Sequence, residues 1–178
     1  MMILGNPTLI NTYTPSNDTE QEITTGLDST YSSYMFVFTD IYVHNNTAAF
    51  TFQTGASYNT ATTTAPATAY MYEDDSANDF DFTEGIRSSS GTAFVQMHRR
   101  MGNASDNCMA GIMILFDPAS TTHDKYFYYN INHTMDLGPA TAQTINQGQI
   151  KTTDAITQIQ FKADGGNISG TIQLYGIT

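Results

Sequence analysis

Residues 155–178 constrain the fold more than any other stretch. Ile159 and Phe161 alternate with Gln158, Gln160 and Lys162, and Ile172 and Leu174 alternate with Thr171, Gln173 and Tyr175. A period of two places the apolar members of each run on one face of an extended strand. Between the runs lies Asp164-Gly165-Gly166-Asn167, and Asp-Gly and Gly-Gly supply the positive φ that a tight reversal demands. The stretch predicts a β-hairpin. A second hairpin is predicted across Asn45-Asn46, joining the apolar-aromatic run at 33–44 to the run at 48–54, which carries Phe50 and Phe52 on one face.

Strand-like runs recur along the rest of the chain, at 8–14, 20–25, 69–72, 80–82, 91–98, 110–116 and 125–132, and no segment shows a capped helical period. The Thr- and Ala-rich residues 58–68 read as a polar loop or an irregular edge, and the polar residues 141–153 carry no assignment. Composition agrees. Only 13% of residues are charged and 12% are aromatic; Thr, Tyr, Phe, Val and Ile suit half-buried strands, whereas the residues that cover exposed helices are scarce. The expectation is one domain over residues 1–178, all-β, an antiparallel two-sheet sandwich with jelly-roll connectivity. Phe36, Phe38, Phe50, Phe52, Ile159, Phe161, Ile172 and Leu174 are expected to share its core. So few charges would leave strand edges free to pair, so the edges are expected to be covered by sister subunits or a larger assembly.

The formal net charge of −11 argues against wrapping nucleic acid or docking on an anionic membrane, since both need clustered Lys and Arg. The one basic cluster, His98-Arg99-Arg100, is short and flanked by Met97 and Met101, and reads as a strand end or a partner contact rather than a phosphate site. Cys108 is the only cysteine, so neither an internal disulfide nor a thiolate metal cluster can form within the chain. Met1-Met2-Ile3-Leu4 runs straight into Gly5-Asn6-Pro7, without the basic start and apolar run of a secretory signal.

No catalytic motif emerges. His-x-Glu, His-Glu-x-x-His, Gly-x-Ser-x-Gly and a phosphate-cradling glycine loop are all missing from the sequence. His123 and Asp124 are adjacent, and neighbours on an extended chain point opposite ways, so they do not make a base with its orienting acid. Cys108 reads as an inert, partly buried thiol. Glu73, Asp74, Asp75, Asn78, Asp79 and Asp81 offer hard oxygens for Ca²⁺ but lack the central Gly and the terminal Glu of an EF-hand loop, so a solvated acidic loop is the simpler reading. Tyr13, Tyr31, Tyr58, Tyr70, Tyr72 and Tyr126 would suit a sugar platform, or equally half-buried strand and subunit-contact positions. No catalytic residue, metal site or cofactor is expected.

The chain also resembles a group of structural proteins from tailed bacteriophages, especially marine ones. The resemblance rests on Gly166-Asn-Ile-Ser-Gly-Thr-Ile-Gln-Leu-Tyr-Gly-Ile177, on Thr24-Thr-Gly-Leu-Asp-Ser-Thr-Tyr-Ser-Ser-Tyr-Met-Phe-Val-Phe-Thr-Asp-Ile41, on Phe50-Thr-Phe-Gln53 and on Phe116-Asp-Pro-Ala-Ser-Thr-Thr122. These blocks carry no chemistry, so no site residue follows from them. The resemblance implies a non-enzymatic virion protein, made in the host cytoplasm and placed on the outer surface of the particle. The expected role is capsid decoration or cement, with the major capsid protein and sister subunits as partners and a homotrimer as the favoured form. The alternative is a tail or fibre-tip module that binds a host-surface glycan.

Overall fold

The computed structural model describes residues 5–55, 58, 60, 62–72, 78–81, 92–98, 100–136 and 140–178, with 62–72 and 78–81 followed along the backbone. These contain the strands β1 (Thr8–Tyr13), β2 (Ser16–Asp18), β3 (Gln21–Ile23), β4 (Ser33–Val43), β5 (Phe50–Thr54), β6 (Thr62–Tyr72), β7 (Asn78–Asp81), β8 (Val95–Gln96), β9 (Met109–Phe116), β10 (Lys125–Thr134), β11 (Ala140–Ile150), β12 (Ile159–Ala163) and β13 (Ile168–Ile177). No helix occurs among the described residues. The large sheet runs β1-β13-β4-β9-β10-β11-β6-β7, with β2 also on β13, and the small sheet runs β3-β12-β5-β8. Pairing is antiparallel throughout. The protein is an all-β two-sheet sandwich.

Within this order β1 pairs with β13, β3 with β12, β4 with β9 and β5 with β8. The pairs fall alternately in the large sheet and the small one. The remaining strands, β10, β11, β6 and β7, widen the large sheet beyond β9.

Neither predicted hairpin forms. β4 lies in the large sheet and β5 in the small one, and β12 lies in the small sheet while β13 returns to the large one. Each reversal is an arch that carries the chain across the sandwich. Alternation shows which face of a strand is apolar, and two apolar faces can lie side by side in one sheet or meet face to face across two. Here they meet face to face: Phe36 packs on Phe161 at 5.4 Å between ring centroids and Phe38 on Phe50 at 5.6 Å, both edge-on. The two arches are bonded to each other. The Ala49 amide donates to Asp164 Oδ1 (2.8 Å), the Asp164 amide donates to Ala49 O (2.9 Å), and the His44 amide donates to Asn167 O (2.9 Å). Gly166 turns at φ 78°, and a Cβ there would sit 2.7 Å from Asn45 Cγ, so the glycine serves both the turn and the close approach of the other arch.

A bulge in β4 keeps its inner face apolar. Register jumps from Phe38↔Gly111 to Ile41↔Met109, Thr39 and Asp40 are exposed, and the buried set shifts from Tyr34, Phe36 and Phe38 to Ile41 and Val43. The extra residue flips the parity of every side chain beyond it. Opposite the bulge β13 has its own irregularity at Gly170, whose φ is 131° and whose Cβ, if present, would lie 2.5 Å from Asp40 O.

Two more stretches differ from expectation. Residues 62–68 are not a loop; they belong to β6, which pairs along its whole length with β11. Pro66 lies outside the Thr68–Met71 stretch of β6 that pairs with β7, the kind of strand position at which proline is found. The unassigned residues 141–153 supply most of β11. The core agrees with the sequence: all eight predicted residues lie in one buried cluster between the sheets.

Candidate functional site

The inner face of the large sheet builds the core, so its outer face carries the alternate residues of each strand. Register aligns them in three rows. One runs Tyr175, Met35, Ile114, Tyr128, Gln147 across β13, β4, β9, β10 and β11; the second runs Gln173, Val37, Ile112, Asn130, Ile145; the third runs Ile177, Ser33, Phe116, Tyr126, Gln149. Leu9 of β1 adjoins Tyr175 at the margin. Leu9, Phe116, Tyr126 and Ile145 are 50%, 36%, 55% and 41% exposed. Ile114, at the centre, is fully buried yet lies outside the inter-sheet core cluster.

None of the outward positions in these rows is Asp, Glu, Lys or Arg. A solvated surface is normally about a quarter to a third charged, so a face of this extent without a charge departs from what solubility alone would select. Its polar members are amides and hydroxyls. Gln143 Nε2 donates to Asn130 Oδ1 (3.0 Å), and at the rim Gln149 Nε2 donates to Asp124 Oδ2 (2.8 Å). The small sheet is different: its outward Thr51 and Gln53 are buried, Gln53 Nε2 donates to Thr92 O and Ala93 O, and Lys162 Nζ stands 4.0 Å over the Phe94 ring. The segment 92–94 covers that face.

The reactive groups singled out in the sequence hold structure together. Asp124 bonds Gln149, while His123 is exposed and its amide donates to Ser120 Oγ. Burial, and secondarily the Asp40 carboxylate, push the Cys108 thiol above its ordinary pKa, which disfavours the nucleophilic thiolate. His98 is buried; its Nε2 accepts the Phe50 amide (3.0 Å), which places the ring proton on Nδ1, and its ring stacks on buried His133 at 4.4 Å. Arg100 pairs with Asp136 at 2.8 Å; Arg99 lies outside the described residues. Lys125, also buried, donates to Thr152 O (3.0 Å) and Asp154 O (2.7 Å), and burial lowers its pKa despite nearby Asp117, Asp124 and Asp154.

One contact passed unnoticed in the sequence. Ser169 Oγ accepts the Asn17 amide (2.8 Å) and lies 2.9 Å from His44 Nε2, the spacing of a nucleophile and its base. No carboxylate holds the other His44 nitrogen among the described residues, and the contact ties β2 and β13 to the arch that follows β4. Residues 125 or more apart in sequence form it, so no local motif announces it.

Among the described residues no group of three His, Cys, Asp or Glu is placed to hold a metal ion. Of the acidic segment, Glu73, Asp74 and Asp75 lie outside those residues, and Asn78, Asp79 and Asp81 are on β7. The tyrosines are dispersed: Tyr13 and Tyr31 pack on the core, Tyr126 stands on the outer face, Tyr58 follows β5, and Tyr70 and Tyr72 are on β6.

No protein-family model matches the chain, and no curated protein is similar to it. Among solved structures, a structural-genomics protein of unknown function from Bacteroides ovatus is similar over 59% of this chain at 8% identity and a TM-score of 0.30. This chain spans 45% of that protein's length. A likeness at that level carries no argument about fold or function.

Proposed function

We propose that this protein works by binding rather than catalysis, as a tailed-phage virion structural protein that decorates and cements the capsid. The observation that carries the proposal is the uncharged, aromatic-rich outer face of the large sheet, since an exposed apolar face of this extent marks a surface that works against another protein. The resemblance of the four sequence blocks to phage virion proteins supplies the setting. We read the ribbon of pairs β1–β13, β3–β12, β4–β9 and β5–β8 as a jelly roll. Attachment to the major capsid protein, as a homo-oligomer with a trimer favoured, would stabilise the shell through many weak contacts made at once.

Virions stripped of the protein are expected to release their genome at a lower temperature than intact ones, with resistance restored on adding it back. Unchanged heat resistance of stripped particles refutes cementing. A second reading is a tail or fibre-tip module for a host glycan, favoured by the exposed Tyr126 ring beside the Asp124–Gln149 pair. It predicts few copies per virion and failure of stripped particles to adsorb.

A further inference from the structure

We infer that His98 and His133 form an acid-sensitive clasp: they hold a strap, residues 97, 98 and 100–102, across one end of the sandwich and release it as pH falls through the range in which histidine ionises. The strap bonds to both sheets. Toward β5 and the arch before it, the Met97 amide donates to Phe50 O (2.9 Å), the Met101 amide to Ala48 O (3.1 Å) and the Thr47 amide to Met101 O (3.0 Å). Toward β10, the Gly102 amide donates to Thr134 O (3.2 Å) and the Asp136 amide to Arg100 O (3.2 Å), while Met101 and Met135 form a β-bridge. His98 lies on the strap and His133 near the end of β10, so their stacked rings join the strap to the large sheet where it also bonds to the small one.

The fold admits His98 only as the neutral imidazole. Its Nε2 accepts the Phe50 amide at 3.0 Å, and a proton on that nitrogen would set donor against donor, so ionisation costs the bond whatever Nδ1 touches. Both rings are buried, which withholds the hydration a cation needs. With 4.4 Å between ring centres, a charge on one also opposes a charge on the other. The strands β5, β8, β9 and β11 carry no ionisable side chain. Met109 and Ala142 flank His133, with Tyr70 of β6 at the register position beyond Ala142. On β10, Tyr129 donates to Gln96 O and Lys125 stands at the opposite end. The nearby carboxylates are engaged or in solvent: Asp136 pairs with Arg100, Asp164 bonds Ala49 and Gln96, and Asp106 is exposed. Burial keeps the Cys108 thiol protonated. The unfolded chain takes up histidine protons near pH 6.5, about the ordinary value, and the folded chain resists them. More protons on the unfolded state mean that stability rises with pH; this contribution is present above about pH 6.5 and lost as pH falls below it.

The test compares urea unfolding of the full chain with that of His98→Gln, whose amide oxygen still accepts from Phe50 but does not titrate. Between about pH 7.5 and 5.5, above the range of ordinary carboxylates, the wild-type unfolding constant should rise about tenfold more than that of the variant. His123→Gln, at an exposed position, should follow the wild type. Nuclear magnetic resonance of the wild type gives a second measure that needs no variant to fold. There the exposed His123 ring should titrate near pH 6.5, while the His98 ring stays neutral until the Phe50, Met97 and Met101 amides lose their exchange protection. Those amides should open ahead of the β4–β13 ladder. Equal pH dependence of wild type and His98→Gln overturns the inference, as does a His98 ring that ionises near pH 6.5 with the Phe50 amide still protected. Strap amides that open no sooner than the β4–β13 ladder would make the pair a feature of the core and not a clasp.

Discussion

Phe161 is the side chain on which the sandwich most depends. It is fully buried in the second strand of the small sheet, and its ring meets Phe36 and Phe38 of the large sheet at 5.4 Å each, Phe50 at 5.6 Å and Phe52 at 6.5 Å. Truncation to Ala removes the transfer free energy of the ring and leaves a cavity walled by those rings, which are held by two sheets and cannot collapse inward. Buried Phe→Ala changes cost about 3–5 kcal/mol, and each aromatic pair adds about 0.5–1.5 kcal/mol beyond area, so Phe161→Ala belongs at the upper end, about 4–5 kcal/mol. Phe161→Leu keeps most of the volume and should cost less than half as much. Urea unfolding at fixed protein concentration, followed by circular dichroism and tyrosine fluorescence, measures both through the shift in midpoint. In a chain of this length the Ala variant should melt about 8–20 °C lower. A loss below about 1 kcal/mol for Phe161→Ala would show that this ring is not the hub of the core.

Asp164→Ala removes the acceptor that holds the buried Ala49 amide and the Gln96 side chain (2.9 Å), and should cost about 1–3 kcal/mol in the same assay; Asp164→Asn keeps one acceptor and should recover more than half of it. Gly170→Ala forces a Cβ against the β4 backbone at a φ of 131°, and should lower the midpoint by more than the reverse change at an exposed position, Ala104→Gly, shifts it in either direction. The raised pKa of Cys108 has a definite sign: above the ordinary thiol value of 9.0 the unfolded chain loses a proton that the folded chain retains, so this group lowers stability as pH rises. Iodoacetamide at pH 8 should therefore label Cys108 more slowly in the folded protein than in urea, and the stability of Cys108→Ala should fall less between pH 8 and 10.

The apolar alternation in residues 33–43, 50–54, 159–163 and 168–177 was legible because it reports burial directly, and Phe36, Phe38, Phe50, Phe52, Phe161 and their neighbours do share one core. Pairing was not legible. Asp164-Gly165-Gly166-Asn167 specifies a reversal but leaves open whether the chain stays in its sheet or crosses, and the bonds that settle it, between Asp164 and Ala49, join residues 115 apart. The parity change in β4 is hidden because Thr39-Asp40 reads as an ordinary polar interruption. β11 was missed because its inward positions, Ala140, Ala142, Thr144 and Asn146, are small or polar and carry no apolar period. The outer face was half visible, as a shortage of charge along the strands; its three rows depend on the register of β11, the strand that the sequence concealed.

β12 and β13, which follow all the other described strands in chain order, occupy interior positions in both sheets: β13 separates β1 from β4, and β12 separates β3 from β5. On a ribosome adding about 5–20 residues per second, the earlier strands emerge with gaps between them that only residues 159–177 can fill. Until then four strand edges stand open to pairing with other nascent chains, and closure waits on contacts between residues far apart in sequence, which form slowly. Residues 159–177 act as a double keystone, so a message cut short before them, or a ribosome stalled there, would yield two incomplete sheets rather than a smaller version of the protein.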